Sequence, residues 1–62
     1  MKLYILLGSL VAFQRLFDES AYLRQVLEET PSNVYLVKDG ADVREVKRLL
    51  DSRNIKYKLK EG

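Results

Sequence analysis

Lys2–Leu7 reads KLYILL, five apolar residues behind one lysine, stopped by Gly8-Ser9. A strand with one wet face alternates apolar and polar residues. A run without alternation marks a strand covered on both faces. This segment is therefore expected in the middle of a sheet. Two more strand-like runs lie downstream. Val34–Val37 (VYLV) is again continuous and ends at Lys38-Asp39-Gly40. Ile55–Lys60 (IKYKLK) alternates strictly, with Ile55, Tyr57 and Leu59 on one side and Lys56, Lys58 and Lys60 on the other. Lysines at every second position are typical of a protected edge strand.

Helical spacing fills the gaps. Leu10 to Glu29 contains no Gly or Pro, and Ser9 can cap its start. Phe13, Leu16, Phe17 and Ser20 share one stripe, and Tyr22, Leu23, Val26 and Leu27 share another. Twenty helical residues span ~30 Å against ~20 Å for a six-residue strand. The helix therefore either overhangs the sheet or breaks near Asp18-Glu19-Ser20. Thr30-Pro31-Ser32-Asn33 is a stop and a turn. Ala41–Ser52 repeats the spacing with Val43, Val46, Leu49 and Leu50 on one stripe, capped by Asp39 or Asp42 and closed at Asn54.

Strand–helix–strand–helix–strand implies right-handed crossovers between parallel strands. The expected fold is a single α/β domain over residues 1–62, of βαβαβ order, with a three-stranded parallel sheet in strand order 2-1-3 and a helix on each face. The alternative order 1-2-3 puts both helices on one face. It would bare one side of Tyr4, Leu6, Val34 and Leu36, and would nearly require a partner.

The stretch Val34–Lys60 resembles the first strand, helix and second strand of glutaredoxin-like proteins. The positions of that family's active cysteines fall around Gly40–Val43, and none is cysteine here. The resemblance thus implies a strand–helix–strand unit and no redox activity.

Composition narrows the function. With 47% apolar and 32% charged residues the chain is too apolar for disorder. It has no Cys and no His. Disulfides, thiolate metal sites and the commonest general base are therefore excluded. Short chains bury little surface and usually need a staple, so self-association is expected. The apolar N-terminal run is broken by Gly8-Ser9 and lacks a small-x-small cleavage site, and no segment reaches the ~20 apolar residues that span a bilayer. A soluble, cytoplasmic protein without membrane partners is expected. Net charge is +2, but residues 34–62 carry eight basic and five acidic groups. The positive field lies in that half.

Four candidate sites follow. Gly8-Ser9 opens a helix, where free backbone N–H groups suit phosphate or a simple serine cap. Asp39 and Asp42 offer oxygen ligands for Mg²⁺, or helix capping. Phe13, Phe17, Tyr22 and Val26 exceed what one thin sheet can cover and form a candidate interaction surface. Arg53, Lys56, Lys58 and Lys60 form a basic patch able to track phosphates, although Tyr57 faces the other way and leaves the row without an interleaved aromatic. No catalytic set, metal or cofactor is assigned. The expectation is a non-enzymatic protein-interaction or regulatory domain, partnered by itself as a homodimer or by another protein. The alternatives are nucleic-acid binding through the basic edge strand and an engineered scaffold without native function.

Overall fold

The computed structural model describes residues 2–62. Seven elements follow in order: β1 (Leu3–Leu7), α1 (Leu10–Glu19), α2 (Ala21–Val26), β2 (Leu27–Glu29), β3 (Val34–Val37), α3 (Val43–Ser52) and β4 (Tyr57–Glu61). The sheet has four strands in the order β2-β3-β1-β4, and every neighbouring pair is antiparallel. This corrects the expected three-stranded parallel sheet.

The correction originates in one short segment. Leu27-Glu28-Glu29 continues the helical stripe in sequence, and all three are good helix formers. In the fold they form a strand. Leu27 is buried and pairs with Val37, while Glu29 pairs with Tyr35. Thr30–Asn33 turns this strand into a hairpin. Thr30 donates from its backbone N–H to the Val34 carbonyl at 3.2 Å and from its hydroxyl to the same oxygen at 2.6 Å. Ser32 takes the left-handed conformation (φ 70°) that lets so short a loop close. The hairpin reverses the chain, so Val34–Val37 runs opposite to β1.

That reversal also moves a helix. A right-handed crossover fixes the side of the sheet from the strand direction and the direction of the step. With β3 reversed, the rightward step from β3 to β4 lands α3 on the same side as α1 and α2. Phe13, Leu16 and Leu23 join Val46 and Leu50 in one core cluster with Ile5, Leu7, Leu27, Tyr35 and Val37. The expectation of a helix on each face is therefore corrected too. The connectivity is two interleaved split β-α-β units, the ferredoxin-like arrangement. The strand–helix–strand unit suggested by the glutaredoxin-like resemblance is split as well, because β1 lies between β3 and β4.

The long helical segment breaks at Ser20. Its backbone is extended (φ −108°, ψ 106°), and its hydroxyl oxygen accepts the Leu23 N–H at 3.2 Å to start α2. Asp42 caps α3 by accepting from Arg44 N at 3.1 Å and Glu45 N at 3.4 Å. Aromatic stacking knits α1 to the sheet: the Phe13 and Tyr35 ring centroids lie 4.6 Å apart, and Phe17 is 5.7 Å from Tyr35. No helix among the described residues is long and apolar enough to cross a membrane.

Candidate functional site

With all helices on one side, the other side of the sheet is uncovered. Strand alternation and register decide what it presents. On β1, Ile5 and Leu7 point into the core, so Tyr4 and Leu6 point out. On β3, Tyr35 and Val37 point in, and Val34 and Leu36 point out. None of these four outward residues packs against the core cluster. They are partly buried by one another, as a strip along the middle of the sheet.

Charge frames the strip unevenly. The register aligns Glu28, Leu36, Tyr4 and Lys60 in one row across the four strands. The next row runs Val34, Leu6, Lys58. Lys56 follows beside Gly8, whose N–H it binds through its carbonyl at 2.9 Å. Lys2 and Lys38 extend β1 and β3 by one residue in the same phase. All five lysines are exposed. Five of the chain's six lysines thus belong to the uncovered face, with Glu28 as the acidic residue in its rows. The arginines lie elsewhere. Arg48 pairs with Glu45 along α3, and Arg53 pairs with Glu19 of α1.

The aromatic missing from the lysine row comes from the neighbouring strand. Tyr4 sits directly opposite Lys60, which places their Cβ atoms about 5 Å apart. Its ring leans over Gly62, where an added Cβ would come within 3.2 Å of Tyr4 Cε2. Lys58 and Lys60 are spaced ~6.8 Å along the strand. A shallow depression lined by Leu6, Gly8, Lys56 and Lys58 continues the strip towards the start of α1.

The residues singled out from sequence are redistributed. Phe13 is fully buried, and Phe17, Tyr22 and Val26 pack against the core. Tyr22 also uses its hydroxyl to accept the Asp42 N–H at 2.8 Å. These four form no single exposed patch. Lys56, Lys58 and Lys60 come together on the uncovered face, whereas Arg53 stands apart at the end of α3. Gly8 has its N–H committed to Lys56, and the Ser9 side chain makes no capping bond. Asp42 is occupied as the α3 cap, and no group of three metal-ligating side chains occurs among the described residues. Tyr4 was expected on a bare face only in the alternative strand order 1-2-3, and Lys2 and Lys38 were not grouped with the lysine row. The period-two spacing of Lys2, Tyr4 and Leu6 is the signal that could have found them.

Perturbed ionisation lies away from this face. Burial first, then the charges of Glu29 and Asp18, raise the Tyr35 phenol. Burial and then Asp51 raise Tyr57. The hydrogen bond from Arg48 lowers the Glu45 carboxyl and raises the guanidinium. The uncovered face presents lysines, one aromatic ring and apolar side chains.

No protein-family model, curated protein or solved structure matches the chain.

Proposed function

We propose that this protein is a non-enzymatic binding module that holds a single-stranded nucleic acid across the uncovered face of its sheet. The observation that carries the reading is the row in which Tyr4 stands opposite Lys60, with Lys58 and Lys56 beyond it and apolar Leu6 and Leu36 alongside. A single strand needs cations for its phosphates and a π-face for its bases. The lysine edge supplies the first. A ring laid across the sheet supplies the second, and the apolar strip accepts the flanking base. A duplex conceals its base faces, so it can use only the lysines.

Charge supports the same partner. The face carries five lysines against one glutamate, which attracts a polyanion and repels a second copy of the same face. Lysine–phosphate contacts of this kind give dissociation constants of roughly 10⁻⁴–10⁻⁶ M, with little sequence preference.

Fluorescence anisotropy with a labelled mixed-sequence oligonucleotide tests this, using single-stranded and duplex forms over a range of salt. Three or four lysine contacts predict a slope of log K against log salt of about −2 to −3 for the single strand. Replacing Lys58 and Lys60 by Gln should flatten that slope by roughly 1.4. Absence of binding at low salt, or an unchanged slope in the Gln variant, would defeat the reading.

A further inference from the structure

The two edges of the sheet carry opposite charge, and both leave backbone groups free. On β4, the bonds to β1 run through the even-numbered residues. Lys2 N donates to Gly62 O at 3.0 Å, Gly62 N to Lys2 O at 2.9 Å, and Gly8 N to Lys56 O at 2.9 Å. The N–H and C=O groups of Tyr57, Leu59 and Glu61 therefore point away from the sheet. On β2, Thr30 N bonds Val34 O at 3.2 Å and Lys38 N bonds Val26 O at 2.8 Å. The Leu27 C=O and both backbone groups of Glu29 therefore point outward at the opposite edge, while the Leu27 N–H donates to the Leu23 carbonyl at the end of α2. One edge displays Lys56, Lys58 and Lys60, and the other Glu28 and Glu29, all exposed.

Direction matches as well. β1 opposes both β3 and β4, and β2 opposes β3, so β2 runs antiparallel to β4. We propose that copies of this chain associate head to tail, the acidic edge β2 of one pairing antiparallel with the basic edge β4 of the next. The outward backbone groups meet when Leu27 faces Leu59 and Glu29 faces Tyr57. Glu28 then lies opposite Lys58 on the uncovered face. Leu59, one of two large apolar side chains left exposed among the described residues, is drawn into the seam. Contacts between like edges are disfavoured. β4 on β4 about Leu59 puts Lys58 against Lys60, and β2 on β2 about Glu28 puts carboxylate against carboxylate. The lysines that guard the edge against its own kind admit the acidic strand. A contact between two different edges leaves one of each free at the ends, so it continues into a ring or a chain of copies. Only three backbone groups of β2, the Leu27 C=O and the N–H and C=O of Glu29, are open to the contact, so the association is weak and concentration dependent.

Sedimentation velocity on the purified chain, without nucleic acid, separates this inference from the binding reading. From micromolar to millimolar protein at low salt, the sedimentation coefficient should rise beyond that of a dimer and fall back when salt is raised. Glu28→Lys with Glu29→Lys, and separately Lys58→Glu with Lys60→Glu, should each stay monomeric, because each makes both edges alike in sign. An equimolar mixture of the two should associate again, since every edge then finds an opposite. Circular dichroism confirms that these exposed substitutions leave the fold intact. A wild-type chain that stays monomeric throughout, single variants that associate like wild type, or a mixture that fails to recover would each overturn the proposal.

Discussion

The two faces of the sheet can be separated by making one substitution on each. Tyr35→Ile and Tyr4→Ile remove the same ring from adjacent strands, one pointing into the core and one away from it. Tyr35 is buried and stacks on Phe13 at 4.6 Å and Phe17 at 5.7 Å. Two aromatic pairs contribute about 1–3 kcal/mol beyond their area. A chain of 62 residues has only about 3–9 kcal/mol of total stability. A loss near 2 kcal/mol should lower the melting temperature by roughly 8–16 °C. Tyr4 belongs to no core contact, and Ile keeps both the apolar surface and the strand preference, so its stability cost should stay below about 1 kcal/mol. Its binding cost should be larger. Loss of one base–ring stack is worth about 1–3 kcal/mol, a roughly 5- to 150-fold weaker complex with a single strand. Thermal melts by far-UV circular dichroism and oligonucleotide anisotropy on the same two samples give both numbers. If Tyr4→Ile melts as low as Tyr35→Ile, or binds as tightly as the parent, the assignment of Tyr4 to a binding face fails.

Two further outcomes test the fold itself. Asp42→Ala removes the acceptor for two backbone N–H groups at the start of α3 and should cost about 1 kcal/mol in urea denaturation. Tyr35 and Tyr57 both have phenols raised above their ordinary value of 10.0, chiefly by burial. The folded chain holds these protons more tightly than the unfolded chain, so their contribution is complete below pH 10.0 and is lost as pH rises through the raised values. Denaturation curves should show stability falling above pH 10.0, and Tyr35→Phe with Tyr57→Phe should flatten that fall.

The misreading of Leu27–Glu29 shows where local pattern gives way. Leu-Glu-Glu after a helical stripe favours more helix. The competing strand is favoured by Val37 and Tyr35, which lie in a different segment, and by a turn whose Ser32 adopts φ 70°. Nothing within three or four residues of Leu27 reports on either. The candidate site was half legible for a related reason. Lysines at 56, 58 and 60 declare their common side by spacing alone. That Tyr4 completes the row depends on register between β1 and β4, which no single strand encodes. Phe13, Phe17, Tyr22 and Val26 looked like surplus apolar surface because only a thin three-stranded sheet was expected to cover them, with the break near Asp18-Glu19-Ser20 left open. The break at Ser20 and the fourth strand provide cover for them.

From its residues alone the chain dictates that three of its four strands extend, that it turns at Thr30–Asn33, that Lys2–Leu7 is central in the sheet, and that the lysine-bearing strand is an edge. These properties depend on neighbours within a few positions, through backbone preference, side-chain periodicity and hydration of charge. Strand direction, the side on which α3 lies, and the meeting of Tyr4 with Lys58 and Lys60 were settled only by folding. Each follows from one hairpin at Thr30–Asn33, whose reversal, through the fixed hand of the crossover, leaves one face of the sheet without helices.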